Sequence, residues 1–469
     1  MKLHPIAVWM TAAFGVLPLQ AQAQTQAELM QELARSQAAM SGMAARLGAI
    51  EALLKQRQEE TAATSGEQQR QLDSLVVRTE GLVTADETMG RKDLKISGYI
   101  DPTFIYTSRQ NRAGFQFLNA SVNANGSAEY AFDNGAFGGA MIDFQKTTEG
   151  GAKWRLTLAP NRVGGGNAID GKSIVHEASL WFPLMDQNTR LIAGQIPEWS
   201  GHELLPGNQT KLITHGLLFD YALPAVYTGA GLELVRGNWT IKSMLANVNG
   251  SKKNNGEKAP VLVYRVDYFD YSKEFSGFGF AGLNGRMANF RAADGVGNPV
   301  TGLAYDGRDT MVNTFEADGF FSRGDWTFTG QVSVGMQRRA AITADPVSGA
   351  LRDSQWWGAS ATVARKLTPR LEAITRVDYF NNRKNGGGAL GYTFADSRNG
   401  LGPDSLGDPN VGANRSALAF GLRYAIEANL MWKAEYRVDL ASLPVFLDVG
   451  TGSFKRSNQL FGSSLVLGF

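Results

Sequence analysis

Three Arg-Val-Asp triplets punctuate the second half of this chain: Arg265 with Asp267, Arg376 with Asp378, and Arg437 with Asp439. In an extended strand residues two apart share a face, so each triplet sets a cation beside an anion. Glu372, Arg423, Lys433 and Glu435 are further charges on alternating stretches of the same kind. Such charges can form cross-strand pairs that hold a wet wall together, or select solutes by charge at a constriction. Both signs on one face suit a transverse field acting on polar solutes better than strict anion or cation selectivity.

A second group lies in "PEWSGHELLPGNQTKLITHGLLFDYALPAVYTG" (197–229), where Glu198, His202, Glu203, Lys211 and His215 alternate with apolar anchors. A long link after an early strand is a candidate to fold inward and narrow a pore; the alternative is an ordinary surface loop. His202 and His215, near Glu203 and Thr214, also have the residue types of a general base and its partner. His176 falls on the even, apolar side of "VHEASLWF", a poor place for a base. No catalytic residue and no cofactor is assigned. Four histidines and no cysteine leave little for a metal and exclude disulfides and thiolate ligands.

These residues need elements to position them, and the chain divides into regions of different physics. Lys2, the apolar run "IAVWMTAAFGVLPL" and Ala21-Gln22-Ala23 form a secretory signal peptide over 1–23, too short for a spanning helix. Residues 24–93 lack aromatics and carry eight Lys/Arg against eleven Asp/Glu. Leu33, Met40, Leu47 and Leu54 recur every seven residues, with Leu29, Met43 and Ile50 in a second series. This is the seam of a short periplasmic coiled coil that joins copies of the chain, a trimer being favoured from Leu at a with Ile50 at d. From Leu94 the balance is 37 Lys/Arg to 33 Asp/Glu, too mild for nucleic acid.

Beyond Leu94 the period becomes two. Trp326, Phe328, Val332 and Val334 oppose Thr327, Thr329, Gln331 and Ser333, and Trp432, Tyr436, Val438 and Leu440 oppose Lys433, Glu435, Arg437 and Asp439. A soluble sandwich could show the same alternation, but the links between strands alternate between long and short. Short "LTPR" (367–370) and "SRGD" (322–325) flank the long 339–354, and the very long 382–414 precedes "AIEA" (425–428). Tight turns at one rim and long loops at the other are the signature of an outer-membrane barrel. The fold class is therefore an all-β transmembrane, antiparallel up-and-down β-barrel over 94–469.

Eleven strands are expected from Tyr227 to Phe469 and five more near 94–106, 115–132, 136–147, 174–183 and 189–196, about 16 in all. "KWRLTLAP" (153–160) and "LLFDYAL" (217–223) are also strand-like and would raise the number to 18. The final "SSLVLGF" is expected to close the ring against the strand beginning at Leu94, so that no edge meets lipid. The glycine runs at 164–166 and 386–388 read as loops, since no helix pattern follows them.

"HEASLWFP", "LIAGQI", "SGHELL" and "THGLLFDYALPAVYTGAGLEL" resemble the Gram-negative porin families of the OmpL-like and phosphate-selective type, some of which carry N-terminal coiled coils. The matching positions are Gly194-Gln195, Gly201-His202-Glu203 and His215 to Gly229, within roughly 176–231. The resemblance implies an outer-membrane porin; the arginine and lysine ladder of the phosphate-selective group is not evident. A barrel of about 16 strands leaves a water-filled lumen. The expected function is passive diffusion of small hydrophilic, charged solutes across the outer membrane, with lipid, solutes and copies of itself as partners. The alternatives are an envelope tether and a barrel hydrolase.

Overall fold

The computed structural model describes residues 93–109, 112–117, 138–159, 174–224, 226–248, 260–271, 275–288, 297–305, 309–341, 343–384, 408 and 410–469, with scattered positions of a helix between 41 and 56. Two compact units divide the chain, Met1–Lys92 and Asp93–Phe469. In the first, Ile50 is helical and 53% exposed. The signal peptide, the 118–132 part of the expected strand, both glycine runs and the seam positions Leu29, Leu33, Met40, Met43, Leu47 and Leu54 lie outside the described residues. No helix among the described residues is long and apolar enough to cross a membrane.

The second unit is built from strands. In order they are β1 (Leu94–Ile100), β2 (Thr103–Thr107), β3 (Arg112–Gln116), β4 (Ala140–Thr147), β5 (Lys153–Leu158), β6 (Val175–Pro183) and β7 (Thr189–Pro197). A short helix α1 (Leu217–Tyr221) precedes β8 (Val226–Arg236), β9 (Trp239–Val248), β10 (Val261–Asp270), β11 (Phe275–Ala288), β12 (Asp309–Arg323) and β13 (Trp326–Gln337). Then come β14 (Ser354–Lys366), β15 (Leu371–Asn381), β16 (Arg415–Ala425), β17 (Leu430–Ala441), β18 (Phe446–Asp448), β19 (Ser453–Lys455) and β20 (Ser457–Gly468).

Eighteen of these form one antiparallel sheet, and β18–β19 are a separate hairpin. The sheet closes because β20 pairs with β17 on one side and with β1 and β2 on the other, Ile100 opposite Leu467 and Thr103 opposite Ser464. Asp101 and Pro102 interrupt the first wall strand between β1 and β2. On its far side β1 pairs with β4 and β2 with β3, so β3 and β4 share one wall position. The ring therefore has 16 positions.

The expected total holds, but its members differ. Of the stretch expected as a strand from 115 to 132, Phe115 and Gln116 form the end of β3, and 118–132 lie outside the described residues. "KWRLTL" does form a wall strand, β5. "LLFDYAL" is a strand nowhere; Leu217–Tyr221 is helix. A seven-residue apolar run fits either conformation, and here the helix buries Leu217, Leu218 and Tyr221 inside the ring. The eleven strands expected from Tyr227 onward are β8–β17 and β20.

The strand ends alternate as expected: short links join β4–β5, β6–β7, β8–β9, β10–β11, β12–β13, β14–β15 and β16–β17 at one rim, and the strand ends joined by longer links, β7–β8, β9–β10, β11–β12, β13–β14, β15–β16 and β17–β20, lie at the other. The two faces of the wall are inverted relative to a soluble protein. Phe278, Phe328, Val332, Val334, Phe420 and Phe461 stand exposed on the outside, while Arg376, Asp378, Lys433, Glu435, Arg437 and Asp439 are buried within. Burial of charge is tolerable only where partners satisfy it.

Candidate functional site

The partners come from the 28 residues between Pro197 and Val226, which fold into the ring. Arg376, on the inner face of β15, donates to Asp378 at 2.9 Å, and its Nη1 donates to Glu203 at 3.1 Å. It also donates to the loop carbonyls of Thr214 at 2.6 Å and His215 at 2.7 Å. Arg437 on β17 reaches the same His215 carbonyl at 2.8 Å and the Thr214 hydroxyl at 3.1 Å, while its Nε is held by Asp439 at 2.8 Å. Two arginines from strands two positions apart thus clamp one point of the loop.

The flanking residues repeat the pattern. Glu435 accepts from the backbone N–H of Ile213 at 2.7 Å and Thr214 at 2.8 Å, and from the Thr214 hydroxyl at 2.5 Å. The Lys433 ammonium donates to the carbonyls of Gly207 and Thr210, each at 2.6 Å. Lys211 reaches Glu372 at 2.5 Å, with Arg423 on the same carboxylate at 3.5 Å. A loop's own N–H and C=O groups would be orphaned in a lumen without such acceptors and donors.

The third triplet behaves differently. Arg265 grips Asp267 at 2.7 Å and forks onto Asp318 of β12 at 2.7 and 3.0 Å. These bonds run wall to wall, from β10 to β12. Asp318 was not singled out by sequence, though its inward parity on β12 was readable; so were Asp143 and Arg155, which pair at 2.8 Å, with Glu177 at 3.3 Å from Arg155. Arg415 is a further buried cation the sequence reading passed over. It sits 2.5 Å from Asp439, with its guanidinium 4.5 Å from the ring centre of Phe446 on the hairpin β18–β19. Alternation alone marked its face; only the fold brings a loop over it.

The loop's own ionisable groups are spread along it. Glu198 accepts from Ser200 N at 2.6 Å, and burial pushes its carboxyl up to about 8 against the pull of Arg265. Burial also works to raise Glu203, but Arg376, with His215 and His202, outweighs it and holds that carboxyl below its ordinary value. His202 Nε2 meets the Thr329 hydroxyl at 3.2 Å. His215 Nε2 meets the Leu204 carbonyl at 2.9 Å, and its ring stacks on Phe219 at 4.0 Å. The two histidines thus contact different partners. His176 is 5% exposed, not on the outer face its parity suggested. A register shift between Thr157 and Leu158 opposes Leu158 to Val175 and Thr157 to Glu177, leaving His176 as the extra residue of a bulge.

Backbone features explain the short motif. Gly194 has φ +116°, and a Cβ there would collide with the Ala178 carbonyl oxygen. Gln195 Nε2 donates to the carbonyls of Val175 and His176, each at 3.0 Å, tying the bulge to the strand that launches the loop. Behind the loop, α1 lays Leu217, Leu218 and Tyr221 into a buried cluster with Ile192, Met244, Val263, Trp356 and Phe380. Apolar packing at one end and charged clamps at the other fix the segment across the lumen.

A family model described as "Protein of unknown function (DUF3138)" matches residues 7–469. No curated protein sequence is a match. Among solved structures, the fold is similar to an anion-selective porin from Comamonas acidovorans, with TM-score 0.49, 10% identity, and 80% of this chain and 99% of that one covered. It is also similar to OmpT of Vibrio cholerae in a trimer form, with TM-score 0.48, 11% identity, and 80% and 99% covered. The outer membrane channel DcaP of Acinetobacter baumannii gives TM-score 0.47, 10% identity, and 80% and 97% covered. Likeness at this level adds nothing about solutes; the barrel itself is established by the strand pairing.

Proposed function

This chain belongs to the DUF3138 family, and we propose that it is an outer-membrane porin, passing small hydrophilic solutes by diffusion through a lumen narrowed by its own loop 198–225. The observation that carries this reading is the clamped loop inside a closed ring whose outside is apolar. A wall facing lipid outside and polar groups within is what a diffusion channel requires. Six of the ten charged wall residues picked out by sequence, Arg376, Asp378, Lys433, Glu435, Arg437 and Asp439, are nearly sealed under the loop. Their role is to hold the constriction. Glu372 and Arg423, with Lys211 from the loop, are the members that border the remaining passage, while Arg265 and Asp267 brace the wall opposite.

The seven-residue spacing supports a homotrimer joined by a periplasmic coiled coil within 24–93, after removal of 1–23 as a signal peptide. The chain purified in detergent and reconstituted in planar bilayers gives stepwise conductance. An electrically silent barrel would defeat the reading.

A further inference from the structure

We propose that a cavity at the short-turn rim, beneath loop residues 206–209, is a binding station for small organic carboxylates, centred on Arg423 and Arg155. It rests on the lumen being a solute path, and it names the class of solute. The cavity measures about 370 Å³ and is bordered by Arg155 of β5, Arg423 of β16, Asn208 and Gln209 of the loop, and Asn429 of the turn between β16 and β17. A solute of roughly ten heavy atoms fits such a space, which is at the lower end of the range for small-molecule sites.

Three observations converge there. The charged side chains that line the cavity are Arg155, Arg423 and Asp143, and the groups paired with them, Glu177, Glu372 and Lys211, stand outside the lining. The side chains of Arg155, Arg423 and Lys211 are 36%, 32% and 30% exposed, against 6%, 2% and 10% for Asp143, Glu177 and Glu372. A solute arriving from water touches guanidinium and ammonium donors, with the carboxylates behind them. Arg423 is also loosely held by charge: its Nε meets the Met431 sulfur at 2.6 Å, and its one ion pair among the described residues is the 3.5 Å contact of Nη1 with Glu372, an acceptor that Lys211 already holds at 2.5 Å. A planar guanidinium with open donors matches a carboxylate in two-point geometry. Finally, the side-chain oxygen of Asn208 is buried with no hydrogen-bond partner. An orphaned amide at the cavity wall suits a solute that carries a hydrogen-bonding group besides its carboxylate.

The test uses the full chain in planar bilayers with succinate as the probe. Wild type prefers chloride over potassium in a KCl gradient, and succinate blocks the current in a concentration-dependent way. R423Q raises the half-blocking concentration about tenfold, the size expected for one lost charge-assisted contact. R423K loses most of the block, since an ammonium cannot fork. E372Q, which frees Arg423 and Lys211, lowers the half-blocking concentration and serves if R423Q does not fold.

Block by inorganic phosphate or a neutral sugar as strong as by succinate overturns the carboxylate assignment, as does wild-type block in R423Q or unchanged block in E372Q. Calorimetric titration of the detergent-folded protein with succinate separates the two readings. Binding without conductance upholds the station and removes the porin; conductance without succinate binding does the reverse.

Discussion

At the scale of single residues, the inward charges of β15 and β17 are tied into the fold by ion pairs and loop hydrogen bonds. Arg376 is 1% exposed and bonded to both wall and loop, so its loss strands Asp378 and Glu203. R376L is expected to cost about 3–5 kcal/mol, the usual penalty for breaking a buried pair by removing one partner. The measurement is the denaturant midpoint of the folded barrel, and single-channel conductance rises as the loop loosens.

Glu198 gives a pH dependence. Its carboxyl titrates at about 8, so it is neutral below that pH and carries a charge above it. Chloride preference, read from the reversal potential, therefore falls between pH 6 and 9.5, and E198Q reduces that fall. Sequence placed Arg376, Glu435 and Lys433 on the right face, because parity is local. It could not supply their partners, since Thr214 lies 162 residues from Arg376 and 221 from Glu435.

At the scale of elements, the inverted wall makes a sharp contrast between neighbours on one strand. Val332 faces out from β13 with 52% exposure, and Ser333 faces in. V332R is expected to destabilise by about 2–4 kcal/mol, the cost of a cation on the lipid side near mid-membrane. S333K is expected to cost far less; equilibrium folding into lipid vesicles distinguishes them.

Replacing residues 204–215 with a short glycine-serine link removes the loop acceptors of Arg437 and Lys433, but leaves both facing water rather than hydrocarbon. The ring is expected to fold and conduct more than wild type, as single-channel recordings would show. The loop-length rhythm and the strands beyond Tyr227 were legible because turns and alternation are written locally. Boundaries failed where local signals were ambiguous: "LLFDYAL" read as strand became a helix on the lumen cluster, and the bulge at His176 reversed a parity that was otherwise regular.

At the scale of the whole molecule, the ring and the N-terminal segment are separable units. Deleting 24–85 is expected to leave conductance per channel unchanged while the oligomer, read on unheated gels, dissociates more easily. Loss of conductance on that deletion would tie the segment to the pore instead.

Docking of the loop on β15 and β17 also orders events in time. The segment leaves the wall after β7, yet every clamp on its middle stretch belongs to strands that follow much later in the chain. Contacts so distant in sequence are slow to form. Until the later half of the ring has assembled, residues 204–215 have nothing to hold them. A newly inserted molecule must therefore pass from wide to narrow, and leakiness of the envelope during biogenesis is set by how quickly that last docking follows closure.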